Sequence, residues 1–294
     1  MRTAPRISVV IPAYNAAKFI GRAIASVQAQ TLPANEIIVV DDGSEDHIAS
    51  VIEGLNGNIR LIRQTNGGPA SARNHGAKVA EGDWIALLDA DDSWLPNKLE
   101  RQSHCLGEDN EVGIVHTLTD DDEAQRSFPK PIDFAAMWEK NWLVTSSVLL
   151  RRTAFEAVGR FDEDRTLISV EDYNLWLRMT HAGWKVATVA ESLVQYTPAP
   201  GSLSGQIERF AHAELANLAR VAEVLNLESS LVAQKRIGIY EQYGRDLLYE
   251  RHMEAARRFL SVPLREQPSL SHLKWWLTAN LPVAVLDLRR RLRR

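Results

Sequence analysis

A single cysteine, Cys105, stands among 294 residues. It excludes an internal disulfide and suits a reducing compartment. No apolar run approaches the ~20 residues needed to cross a bilayer. The first residues, Met1 to Arg6, lead directly into an apolar stretch of about five residues, too short for a secretory leader, so a cytoplasmic location is expected. Several nucleotide and hydrolase signatures are missing. No G-x-G-x-x-G follows the first apolar run, which weakens a dinucleotide-binding reading, and no G-x-x-x-x-G-K-[ST] loop is present. The eight histidines never fall three or four residues apart, so a helical zinc site of the H-E-x-x-H type is absent. No G-x-S-x-G elbow occurs. Basic charge is also scarce where it would matter most. Residues 205–294 carry 15 Lys and Arg against 10 Asp and Glu, so residues 1–204 hold a balance of −9 within the total of −4. An acidic first part argues against a nucleic-acid partner. A diphosphate held there would need a cation beside it.

What is present is an alternation. Apolar runs at Ile7 to Ile11, Ile37 to Val40, Ile59 to Ile62 and Trp84 to Leu88 read as strands. Between them, Phe19, Ile20, Ala23, Ile24 and Val27 recur at helical spacing; Asp46 to Leu55 reads as a short helix, and Pro69 to Ala80 as an Ala-rich one with proline in its first turn. This β-α-β-α-β-α-β order predicts an α/β fold with a mostly parallel sheet flanked by helices. The rhythm breaks after residue 118. Thr119 to Pro131 reads as a polar loop, Ser147 to Leu150 as a strand, and Glu171 to His181 as a helix. Residues 206–266 are helical in pattern throughout. Two domains are therefore expected: 1–204, with halves 1–118 and 119–204, and a helical extension over 205–294 ending in a basic tail.

In open α/β sheets, ligands bind at the carboxyl ends of the strands. There the sequence places Pro12-Ala13-Tyr14-Asn15, Asp41-Asp42-Gly43-Ser44 and Asp89-Ala90-Asp91-Asp92. Five carboxylates on one edge repel one another unless a hard cation or a base edge rich in N–H donors neutralises them. Each piece alone has a plainer reading: Asp-Gly-Ser as a turn, the second acidic cluster as a helix start, Tyr14 as packing. Their arrival at successive strand ends favours a ligand site.

These segments, with Val9-Val10-Ile11 ahead of Pro12, Asn66-Gly67-Gly68 and Ala72-Arg73-Asn74 between them, and Gly159-Arg160-Phe161-Asp162 and Glu171-Asp172-Tyr173-Asn174-Leu175-Trp176-Leu177 after them, resemble the family 2 glycosyltransferases of GT-A fold over roughly residues 6–204. The resemblance implies an inverting transfer of a sugar from a nucleotide-diphospho-sugar, a UDP- or dTDP-sugar, to an acceptor hydroxyl. It fits polysaccharide or glycolipid biosynthesis at the cell envelope, with a sugar, lipid-linked or polysaccharide acceptor. It implies that Tyr14 stacks on the base, with Pro12 and Ala13 lining its pocket. Asp42 would accept from the base and Asp41 support the turn. Arg73 would reach the base or diphosphate, and Asp89 a ribose hydroxyl, with Ala90 beside it. Asp91 would bind Mg²⁺ or Mn²⁺, and Asp92 face donor sugar or acceptor. The Asp of Glu171-Asp172 would be the general base. The competing reading of that pair is a helix cap, with Ser169 and Asp172 forming a near-capping box.

One departure stands out. Where relatives carry Tyr-Arg-x-His, this chain reads Tyr196-Thr197-Pro198-Ala199. The metal site is accordingly expected to consist of carboxylate, diphosphate and water oxygens. The alternative reading, a nucleotide-sugar-binding module with weakened turnover, draws on the same departure. A nucleotidyltransferase reading lacks its Gly-rich phosphate loop, since Asn15-Ala16-Ala17 is not one. The segment 270–294, with Trp275, Trp276 and a run of terminal arginines, leaves two readings open. One is a helix packed on the body with a solvated basic tail. The other is a helix lying peripherally in the anionic inner face of the cytoplasmic membrane, kinked or split at Pro282.

Overall fold

The computed structural model describes residues 5–106, 110–120, 128–197 and 206–291. The chain divides into two compact units, residues 1–200 and 201–294.

The first unit opens as β1 (Ile7–Ala13), α1 (Ile20–Gln28), β2 (Glu36–Asp41), α2 (Ile48–Glu53), β3 (Ile59–Arg63), α3 (Pro69–Val79) and β4 (Trp84–Leu87). It continues as β5 (Ser93–Trp94), α4 (Lys98–Ser103), β6 (Val112–Thr119), α5 (Phe134–Glu139), β7 (Leu149–Arg151), α6 (Arg152–Ala157), α7 (Glu171–His181) and β8 (Lys185–Gln195). Short 3₁₀ turns at Thr145–Ser147 and Arg165–Leu167 precede β7 and α7. One eight-stranded sheet runs in the order β3-β2-β1-β4-β7-β6-β8-β5. The β3-β2-β1-β4 half is parallel throughout, as the alternation predicts. Strand β7 runs antiparallel to both β4 and β6, β6 pairs parallel with β8, and β5 pairs antiparallel with β8.

Apolar periodicity explains the elements. Helix α1 buries Ile20, Ala23, Ile24 and Val27, one face of a 3.6-residue repeat. Strand β1 is buried on both faces, as expected for a central parallel strand. Helix α3 starts at Pro69 in its first turn, after Gly68 at φ +89°, and buries small residues, which lets its backbone approach β1 and β2 closely. The closeness is greatest at Gly76, where a methyl group would collide with Val10 Cγ1 and sit 3.2 Å from Val40 Cγ2. Gly76→Ala is expected to cost roughly 1–3 kcal/mol despite its better helix propensity. Urea unfolding checks this, and an unchanged midpoint would mean the helix can slide.

Three features differ from the sequence expectation. The strand expected at Ser147 to Leu150 forms later, as β7 over Leu149–Arg151, because Ser147 closes a 3₁₀ turn with its hydroxyl on the Val144 carbonyl. The long strands β6 and β8 had no clear signal. Their pairing shifts register at Val112/Ile114, Thr117/Leu118 and Leu118/Thr119, so β8 shows no clean two-residue alternation of burial. Finally, Ser169 does not cap α7: the N-cap is Val170, without a side-chain bond.

The second unit contains α8 (Ile207–Val224), α9 (Ser229–Tyr249), α10 (Met253–Glu266), α11 (Leu270–Ala279) and α12 (Val283–Arg291). Phe210 packs on Tyr243 and Tyr240 on Phe259, with ring centroids 6.1 and 5.4 Å apart. The break expected at Pro282 separates α11 from α12.

Candidate active site

The parallel register sets Ala13 opposite Asp41, and Leu88 N–H donates to the Val10 carbonyl. Three strand ends therefore open on one edge. Pro12 is half-buried and Ala13 buried, whereas Tyr14 is 52% exposed: an aromatic ring held out over the edge by a buried strand. Asn15, at φ +51°, turns the chain, a conformation asparagine tolerates better than most residues. Its N–H donates to Ser44 Oγ and its Oδ1 accepts from Glu45 N–H, which locks the first loop to the second.

The acidic residues divide into inward- and outward-facing sets. Asp41 is buried; its Oδ1 accepts from Ser44 N–H at 2.8 Å and its Oδ2 lies 3.4 Å from Arg63 Nη1, so it supports the turn. Asp42 is also buried. Its carboxylate takes the Gln64 side-chain amide and the N–H groups of Gly67 and Gly68, each at 2.8 Å. Asp42 thus holds the 66–68 loop, with one lone pair of Oδ2 left over. The expectation for Asp92 is corrected. It is 1% exposed, with Oδ2 accepting from Ser146 Oγ at 2.5 Å and Oδ1 from Thr197 N–H at 2.9 Å. It points into the protein rather than toward a sugar. Burial and the neighbouring Asp89 push its carboxyl up to about 7.

Asp89, Ala90 and Asp91 occupy the loop between β4 and β5; Ala90 is buried, while Asp89 and Asp91 are half-buried. Burial first, then Asp89, push the Asp91 carboxyl up from the ordinary carboxylate range, with Arg22 acting against them. Accumulated negative charge on hard oxygens fits a divalent cation. Among the described residues no group of three or more metal-ligating side chains is assembled. Ala199 lies outside the described residues. Thr197 Oγ1 accepts from Arg22 Nη2 at 2.9 Å, and the same guanidinium donates to the Asp91 carbonyl. Sequence gave no signal for Arg22, an exposed-face residue of α1.

Arg73 was expected to reach a ligand. Instead it is 4% exposed. Its Nη1 donates to Glu171 Oε1 and its Nη2 to Asp89 Oδ1, both at 2.7 Å, and its guanidinium lies 5.5 Å from the Phe161 ring centroid. Burial opposes its charge, but Asp89 and Glu171 together hold it above the usual guanidinium range. Asn74 grips Phe161 through both backbone groups, at 3.0 and 2.9 Å. The Gly159 to Asp162 motif thus builds the wall behind Arg73.

Glu171 is consumed as well: beyond Arg73, its Oε2 accepts from Ser169 N–H at 2.8 Å. Asp172 is partly exposed. Its Oδ2 accepts from Thr145 Oγ1 at 3.0 Å and its Oδ1 from Tyr173 N–H at 2.6 Å. Burial and the adjacent Glu171 push its carboxyl up to about 7, against the pull of Arg73. Such a group takes a proton readily near neutrality.

The turn Thr145–Ser147 is what sequence reading missed. Thr145 bonds Asp172, while Ser146 Oγ accepts from Asp89 N–H at 3.0 Å and donates to Asp92. Two adjacent residues touch both acidic clusters. A hydroxyl triplet directly ahead of an apolar run was the available sign.

Comparison with known proteins bears on this arrangement. The family model described as glycosyl transferase family 2 matches residues 8–168. A glycosyltransferase of Rickettsia typhi (RT0329) is 31% identical over 222 residues, covering 70% of this chain and 69% of that one. Two other Rickettsia glycosyltransferases, from R. felis and R. prowazekii, are 32% and 33% identical, and the match spans 31% and 58% of their lengths. Among solved structures, S. aureus TarS 1–349 in complex with UDP-GlcNAc aligns with a TM-score of 0.63 at 18% identity, over 93% of this chain and 79% of that one. The mannosyltransferase PcManGT of Pyrobaculum calidifontis, in complex with GDP-Man and Mn²⁺, aligns at 0.65 and 18% identity over 97% and 81%. At that identity the likeness speaks for the fold, which is the GT-A type expected from the sequence.

Proposed function

The chain belongs to glycosyl transferase family 2, and from that premise we propose that it transfers a sugar from a UDP- or dTDP-sugar to an acceptor hydroxyl in a single inverting displacement. The acceptor is a sugar, lipid-linked sugar or polysaccharide of the cell envelope. One observation carries the reading: Asp172 is the partly exposed carboxylate tuned to about 7, and the bridge Glu171–Arg73–Asp89 ties it to the acidic edge where a donor would sit.

In this reading Tyr14 covers one face of the base, with Pro12 and Ala13 beneath it. The spare lone pair of Asp42 accepts from a pyrimidine N–H. Asp89, at the edge of the Arg73 bridge, accepts a ribose hydroxyl. Asp91 would hold Mg²⁺ or Mn²⁺, which would supply positive charge beside the leaving diphosphate. Asp172 accepts the acceptor hydroxyl's proton as its oxygen attacks the sugar, with Thr145 fixing the orientation of the carboxylate. Glu171 and Arg73 are positioning residues that do not touch the reacting atoms.

The test is a donor screen with UDP-, dTDP- and GDP-sugars, with and without Mn²⁺, reading released nucleotide diphosphate. Metal-dependent release from a UDP- or dTDP-sugar is expected. Failure of every donor and nucleotide to bind would overturn the proposal. Asp91→Ala is expected to bring nucleotide affinity in calorimetry down to its metal-free level; a retained gain from Mn²⁺ would remove Asp91 as ligand.

A further inference from the structure

Helix α11 has two apolar faces. Its inner face is spoken for within the helical unit. His272 is buried, with Nδ1 2.6 Å from the Gln267 carbonyl oxygen and Nε2 3.3 Å from Glu241. Trp275 lies under the Arg245 guanidinium at 4.5 Å, and Ala279 is fully buried. These positions, three and four residues apart, form one stripe. The outer face should then be polar if it met only water. It instead presents Leu270, Leu273 and Leu277, continued by Leu281 past the helix end, with exposures of 86, 40, 52 and 40%. Leu270, Leu273 and Leu277 repeat the spacing of three and four, so they form a second stripe, about 10 Å long at 1.5 Å per residue. Val283 and Val285 at the start of α12 are also exposed, at 40 and 48%, while Leu286 is buried and Asp287 is held 2.9 Å from Arg251. Contiguous exposed apolar surface of this kind marks an interaction site.

The charge around the stripe selects the partner. Residues 270–294 contain six Lys and Arg and one acid, and that acid, Asp287, is neutralised by Arg251. Five of the last six residues are arginine. A second copy of this segment would bring like charge to like charge, whereas an anionic surface complements both its apolar residues and its net positive charge. No helix among the described residues is long and apolar enough to cross a membrane, so the stripe would lie along the interface.

We propose that α11 and α12 form a docking surface for an anionic phospholipid bilayer. Leu270, Leu273, Leu277 and Leu281 enter the acyl boundary, and the net positive charge of residues 270–294 adds an attraction to anionic headgroups that salt weakens. This goes beyond the proposed sugar transfer and does not depend on it.

The test is co-sedimentation of the full chain with vesicles of phosphatidylcholine alone and of phosphatidylcholine with phosphatidylglycerol, in low and high salt. Binding to the phosphatidylglycerol vesicles, weakened by salt, is expected. Leu273→Glu combined with Leu277→Glu changes exposed side chains only, so a native far-UV spectrum is expected, with partitioning lowered about tenfold or more. Arg289→Gln, Arg290→Gln and Arg291→Gln together should remove the preference for anionic vesicles while leaving the leucines in place. Three outcomes would overturn the proposal: no binding to anionic vesicles at low salt, equal binding of the leucine variant, or sedimentation equilibrium showing a wild-type dimer that the leucine variant dissociates.

Discussion

Asp172→Asn is expected to slow glycosyl transfer by about 10²–10⁴-fold while leaving nucleotide affinity unchanged. The amide keeps the shape of the carboxylate: its oxygen can still accept from Tyr173 N–H and its NH₂ can donate to Thr145 Oγ1, so the loop around it should persist. What it loses is the ability to take the proton of an attacking hydroxyl. The pH dependence gives an independent readout. The wild-type carboxyl is pushed up to about 7 by burial and by Glu171, and only its ionised form can act as base. The transfer rate should therefore fall as pH drops through about 7 and level off above it. The asparagine variant should retain a small rate without this acid limb. Steady-state rates between about pH 5 and 9, with calorimetric titration of nucleotide, separate these effects. Near-normal turnover, or an identical acid limb in the variant, would reduce Asp172 to a helix-start residue.

Arg73→Met should destabilise the first unit by roughly 3–5 kcal/mol, the cost of removing one partner from a buried ion pair. The lower end is expected, because the Asp89 side chain is 33% exposed and water can screen it, whereas Glu171 is only 7% exposed. The variant leaves the Glu171 carboxylate buried without its cation and takes away the group that pulls the Asp172 carboxyl down. Where the variant folds, its acid limb should move to higher pH. Arg73→Lys keeps the charge but cannot span both carboxylates as the planar guanidinium does, so it should fall between wild type and Met. Urea unfolding reads the stability and rate–pH profiles read the coupling. A loss below about 1 kcal/mol for Met, within the range of an exposed pair, would show that the bridge contributes no more than a surface ion pair.

Both predictions rest on residues whose presence was legible and whose use was not. The tips of β1, β2 and β4 could be read because a strand buried on both faces writes a continuous apolar run, and its end is marked by the first polar residues. The same reading placed α1 and α3, whose periodicity is local. It failed at β6 and β8, where register shifts blur the alternation, and at Thr145–Ser147, where a one-turn element carries no periodicity of its own. Within the site it named Asp42, Arg73 and Asp92 as ligand-facing and Glu171 as catalytic, and the protein itself engages all four, leaving Asp42 one lone pair. Their partners lie far along the chain: Arg73 and Glu171 are separated by 98 residues, Asp92 and Thr197 by 105. Local pattern holds no record of such pairings.

The sequence by itself determined the family, the parallel half of the sheet and the collection of carboxylates at one edge. Each of these is written in short motifs and in periodicities of two or 3.6 residues. Only the tertiary structure decided which carboxylates remain available. The number of lone pairs on an Asp or Glu is fixed by chemistry, but which of them are already filled depends on donors that folding brings from distant segments. That accounting leaves Asp91 and Asp172 as the carboxylates facing outward, with Asp89 at the edge of the Arg73 bridge. The tertiary structure likewise decided which face of α11 is covered, because an apolar residue at helical spacing looks the same in sequence whether it meets the protein or remains exposed.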